Sequence, residues 1–92
     1  MPQLVHIDVS ELEPPEPMAT VLKSLQQLES DAALRVYHRR QPFPLFKLLD
    51  EMGYAYHCIE LNYSEFAIYI WLKNEESLHD FCYQAANQEL AS

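Results

Sequence analysis

Two proline-bounded stretches carry the residue types suited to recognition chemistry in this chain of 92 residues. The first is Glu11-Leu12-Glu13-Pro14-Pro15-Glu16-Pro17, and the second is His38-Arg39-Arg40-Gln41-Pro42-Phe43-Pro44. Each leads into a helix, whose first-turn N–H groups carry partial positive charge. Arg39 and Arg40 add two planar forks that pair bidentately with phosphate, sulfur oxyanions or carboxylates. The prolines stiffen both loops, so little entropy is lost on binding. His38, Arg39, Arg40, Glu16, Pro14, Pro15, Pro17, Pro42 and Pro44 are therefore the candidate ligand- or partner-binding residues. The competing reading is that both arginines only balance neighbouring glutamates on the surface. Glu11, Glu13 and Glu16 fit a solvated loop facing the positive end of the first helix better than a catalytic carboxylate set.

The other reactive side chains are dispersed. Cys58 falls mid-strand and Cys82 mid-helix on an apolar stripe, where cysteine behaves as a small hydrophobe. His6, His38, His57 and His79 include no pair at the i, i+4 spacing of a helical zinc site, and no Cys-x-x-Cys is present. His57 and Cys58 are neighbours on a strand and point to opposite faces. No metal, no cofactor and no catalytic residue is expected, and the chain is read as not an enzyme.

The formal charge of −8, from 14 acidic and 6 basic side chains, opposes binding to nucleic acid or an anionic membrane. Apolar residues make up 49%, a globular composition. The first residues show no basic, apolar leader, and Phe66 to Leu72 is too short to span a bilayer. Two cysteines do not make a disulfide framework, so a cytoplasmic protein with reduced thiols is expected.

Hydrophobic spacing sets the elements that must position the two loops. Val5, Ile7 and Val9 alternate as a half-buried strand. Met18, Val21, Leu22, Leu25 and Leu28 give an amphipathic helix from about Glu16 to Glu29, with proline tolerated in its first turn. Ala33 to His38 is a second strand, with Leu34 and Val36 on one face and Arg35 and Tyr37 on the other. Leu45, Leu48, Leu49 and Met52 form the stripe of a second helix, which Gly53 terminates as a left-handed cap. Tyr54 to Leu61 and Phe66 to Leu72 form a hairpin. Asn74 caps a third helix with the stripe Leu78, Phe81, Cys82 and Ala85. The order β-α-β-α-β-β-α predicts an α+β two-layer sandwich: a four-stranded mixed sheet, two helices on one face, and an additional C-terminal helix over about residues 75–90. Residues 1–92 are expected to form a single domain with its core at about 4–72.

Placing Ile59, Leu61, Phe66, Ile68 and Ile70 toward the core leaves Tyr37, Tyr54, Tyr56, Cys58, Tyr69 and Trp71 on the outer face. An apolar patch of that size meets something. Two outcomes are open: the third helix covers it, or Tyr37, Tyr56, Tyr69 and Trp71, or the C-terminal helix itself, form a homodimer or partner interface.

Asp8 and Leu12, followed by Pro15-Glu16-Pro17, match the spacing of an aspartate, a leucine and a Cys-Pro-x-Pro helix opening. In these residues and in element order from about Leu4 to Leu72, the chain resembles the TusA/SirA sulfur carriers, with Pro14 where they carry cysteine. The resemblance implies their fold without their chemistry, because a carrier needs a thiolate at the helix N-terminus and proline has no nucleophile. Glu13-Pro14-Pro15-Glu16-Pro17 together with His38 to Leu45 is similar, more closely, to the uncharacterised "domain of unknown function 2249" family. The resulting expectation is a small binding or accessory module, acting through a protein partner or a small anion at the two loops. The alternative is a variant sulfur-transfer or redox protein using Cys58 or Cys82.

Overall fold

The computed structural model describes residues 1–91. Strands β1 (Gln3–Asp8), β2 (Ala32–His38), β3 (Tyr54–Glu60) and β4 (Phe66–Leu72) alternate with helices α1 (Glu16–Gln26), α2 (Phe43–Met52) and α3 (Glu76–Leu90) in the expected order. The sheet runs β1-β2-β4-β3, with β1 parallel to β2 and β4 antiparallel to both β2 and β3. β1, β2 and β3 therefore point the same way. Their carboxyl ends, and the three loops that follow, lie along one edge of the sheet.

One face carries α1 and α2. Val21 and Leu25 of α1 and Leu45 and Leu49 of α2 pack on Leu34, Val36, Ile68 and Ile70 of the central strands. Gly53 ends α2 at φ 86°, with its N–H on the Asp50 carbonyl, the left-handed cap read from the sequence. α1 stops at Gln26, short of the expected Glu29, although Leu28 still packs against this core. Met52, placed on the apolar stripe of α2, is 43% exposed.

α3 lies on the opposite face. Leu78, Cys82 and Ala86 pack on Ala33, Ile59, Ala67, Tyr69 and Trp71, with Phe81 and Ala85 at the margin. Tyr69 and Trp71 are left only 1% and 2% exposed, so of the two outcomes for this face the helix is the cover. Their hydrophobic bodies are satisfied within the chain. α3 starts at Glu75–Glu76 without a side-chain cap; Asn74 lies in the preceding turn and does not cap it.

The facing of β3 is the reverse of the sequence expectation. Tyr54, Tyr56 and Cys58 point toward α1 and α2, and Tyr56 stacks on Phe46 at 4.4 Å between ring centroids. Ile59 and Leu61 point toward α3. Cross-strand partners share a face, and the register pairs Tyr56 with Ile70 and Ile59 with Ala67. Once β4 is fixed, β3 has no freedom to choose.

The α3 face also holds a polar tie. Arg35 Nε donates to Glu89 Oε1 at 3.1 Å, Arg35 Nη2 donates to Glu89 Oε2, and Tyr69 Oη donates to Glu89 Oε1. This network joins the last turn of α3 to the central strands.

Candidate functional site

Parallel β1 and β2 bring the two proline loops side by side at the carboxyl edge of the sheet. Val9 is the anchor of the first loop: it is buried, and its N–H donates to the Tyr37 carbonyl at 3.0 Å. Asp8 then accepts from both the N–H and the hydroxyl of Ser10, at 2.8 and 2.6 Å, and these bonds hold its carboxyl below the usual range. Pro17 is buried, whereas Pro14 and Pro15 are exposed.

In the second loop, His38 Nδ1 accepts from the Arg40 N–H at 3.1 Å, which leaves the proton of the neutral ring on Nε2. Burial, reinforced by the nearby Arg40 charge, pushes the His38 pKa down, so the ring is neutral at pH 7.

A groove runs between the loops in two connected parts. The polar part, about 620 Å³, is lined by Ser10, Glu11, Glu13, Arg39 and Arg40, with Ser64 from the β3–β4 turn. The apolar part, about 380 Å³, is lined by Pro15, Met18, Val21, Pro42, Pro44 and Leu45. Pro14, Pro17, His38 and Arg40 border both. Eight of the nine candidate recognition residues thus gather on one groove. Glu16 does not line it. Sequence reading missed Ser64, which sits at φ 60° in a turn carried to this edge by the common direction of β1, β2 and β3. It also missed Ser10 and Met18.

The helix ends contribute less than their position suggests. Glu16 N–H donates to the Glu13 carbonyl and Ala19 N–H to Pro15, while Pro17 has no N–H. Likewise Phe43 N–H donates to Gln41 and Phe46 N–H to Pro42, while Pro44 has none. Among the described residues, Met18 and Leu45 are the first-turn positions of α1 and α2 whose N–H has no backbone acceptor. The prolines that stiffen the loops also remove the donors, so positive charge at the groove is chiefly that of the arginines.

Among the described residues neither Arg39 nor Arg40 forms an ion pair; the side-chain ion pair of the fold is Arg35 with Glu89. Both guanidinium groups are exposed and line the polar part. Among the described residues neither guanidinium group pairs with Glu11, Glu13 or Glu16, although Glu11 and Glu13 line the same part of the groove.

Both thiols lie away from the groove. Cys58 is half-buried against the core under α1 and α2, and burial pushes its pKa to about 11. Cys82 is fully buried under α3 and pushed to about 12. At pH 8 native protein is therefore expected to resist iodoacetamide, with both thiols reacting once denaturant is added. Intact mass follows this directly, and a rapid single adduct on native protein would show an accessible thiolate.

Among the described residues no cluster of three or more His, Cys, Asp or Glu is arranged to hold a metal, and no helix is long and apolar enough to cross a membrane. His57 stacks on Tyr83 at 4.2 Å and Tyr83 lies 4.6 Å from His79, a row of rings between β3 and α3. Burial, then the proximity of His79, lowers the His57 pKa from its ordinary 6.5. A base whose folded pKa is depressed contributes stability above its unfolded pKa and loses it as pH falls through the folded value. His38 shifts in the same direction. Urea midpoints are expected to fall as pH drops below 6.5, and His57→Gln to flatten that fall. A midpoint independent of pH down to about 5 would contradict the two depressed histidines.

The profile of one protein family, described as "Uncharacterized conserved protein (DUF2249)", matches residues 6–72, more than half of the chain and inclusive of both loops. No curated protein and no solved structure matches.

Proposed function

This chain belongs to the DUF2249 family of uncharacterized conserved proteins, and we propose that it is a non-enzymatic binding module that takes an anionic group on Arg39 and Arg40. The carrying observation is that these two arginines are unpaired on the wall of a groove, whereas Arg35 is consumed by Glu89. Phosphate, a sulfur oxyanion or a partner's carboxylate matches the forked donors. Pro14, at the place where the similar TusA/SirA carriers hold their thiol, supplies no nucleophile. His38 has one ring nitrogen committed to the Arg40 N–H and acts as a neutral donor beside them. Sulfur transfer through Cys58 or Cys82 is the weaker reading, because burial keeps both thiols protonated at neutral pH.

Amide NMR titration with phosphate, sulfite and thiosulfate tests the proposal. Shifts are expected to concentrate at Ser10 to Glu13, His38 to Gln41 and Ser64, and to vanish in the Arg39→Ala, Arg40→Ala double variant. Both arginines are exposed, so this variant keeps the fold. Shifts spread evenly over the surface, or unchanged in the double variant, would remove the arginines from function.

A further inference from the structure

We propose that the anion is carried on a partner polypeptide, as an acidic side chain seated at Arg39 and Arg40 and followed by an apolar side chain in the proline-lined half of the groove. This inference rests on the binding reading above and narrows its ligand. The polar half carries Glu11 and Glu13 beside the two arginines. A free dianion would meet two carboxylates as well as two guanidinium groups, so phosphate binds the arginines measurably but weakly. A peptide segment suits the mixed wall better. Its side-chain carboxylate pairs with the arginines, while its backbone N–H groups donate to Glu11 and Glu13.

The apolar half points the same way. Met18 and the flanking prolines wall an open apolar groove floored by the buried Val21 and Leu45, a shape that accepts a large aliphatic or aromatic side chain and that no small inorganic anion would fill. Two exposed aromatics adjoin the groove along the chain. Phe43, 65% exposed, stands between lining residues Pro42 and Pro44, and Tyr63, 93% exposed, precedes lining residue Ser64. Large aromatic side chains left in solvent are the type that anchors protein contacts. The net charge of −8 further restricts the partner: its acidic residue must sit in a neutral or basic segment, because an acidic one would be repelled.

The test is selection of a random linear-peptide display library on the full-length protein. Enriched peptides are expected to share one Asp or Glu close to a Leu, Ile, Phe or Trp, in a sequence without net negative charge. Binding of those peptides is expected to fall by about tenfold or more in the Arg39→Ala, Arg40→Ala variant, and comparably in Met18→Lys, which fills the apolar half with a charged chain. Amide spectra of both variants verify the fold. No enriched class, a class without an acidic residue, or binding indifferent to either variant would overturn the proposal. If phosphate still moves the groove amides in an arginine-dependent way while no peptide class emerges, the anion reading stands and the polypeptide reading falls. If phosphate also fails, both fall.

Discussion

Ending the chain after Lys73 is expected to leave a protein that self-associates or unfolds without a cooperative transition. The shortened chain would expose Tyr69, Trp71, Ile59 and Ala67, all now covered by Leu78, Cys82 and Ala86 of α3. Burying one large apolar side chain contributes about 1.5–3 kcal/mol, and several are involved. The expected loss is on the order of 5 kcal/mol or more, comparable with the whole stability of a small domain. Sedimentation and thermal unfolding of the truncated chain measure both consequences. A soluble monomer melting with the full-length protein would mean that α3 contributes nothing to the fold. Trp71→Ala in the full chain isolates the largest single contact, with about 3–5 kcal/mol expected.

Arg35→Ala is expected to cost about 2–3 kcal/mol near neutral pH, because it leaves the half-buried Glu89 carboxylate without its cation. Burial pushes the Glu89 pKa up, but hydrogen bonds from Arg35 and Tyr69, together with the Arg35 charge, pull it below its ordinary 4.5. A carboxyl depressed in the folded state contributes stability above 4.5, which is lost as pH falls through the folded value. The gap between wild type and Arg35→Ala should therefore narrow as pH drops below 4.5. Urea denaturation at neutral pH and at about pH 3.5 reads this gap. A gap that stays constant would mean that Arg35 acts by packing its hydrocarbon stem rather than by its charge.

What could be read from the sequence follows from how each element is covered. α1 and α2 carry one apolar stripe each, so their faces and the glycine stop at Gly53 were legible, and the two loops before them were placed together by topology alone. β3 was not legible in its facing. A sheet covered on both sides leaves no polar face to set the phase, and Tyr54, Tyr56 and Cys58 are as apolar as Ala55, Ile59 and Leu61. The register with β4 decides it. The fate of the outer aromatic face was equally undecided, because the α3 stripe suits either the sheet or a second chain. At the groove, His38, Arg39, Arg40 and the prolines were legible from residue type. The loss of free N–H groups was legible only at Pro17 and Pro44; at Glu16 and Phe43 it depends on their turning back to Glu13 and Gln41. The contribution of Ser64 was also hidden, since it arrives from the β3–β4 turn.

The chain's three arginines provide the most direct measurement of the binding proposal, with its own internal reference. Their Nε–H resonances can be followed by NMR as phosphate is added to the full-length protein. Arg35 Nε already donates to Glu89 and should give a protected signal that phosphate does not move. The Arg39 and Arg40 signals, unpaired in the free protein, are expected to shift and gain protection from solvent exchange as the groove fills. Arg39 and Arg40 signals that stay fixed while phosphate is raised, or that move no more than that of Arg35, would contradict the groove as an anion-recognition site.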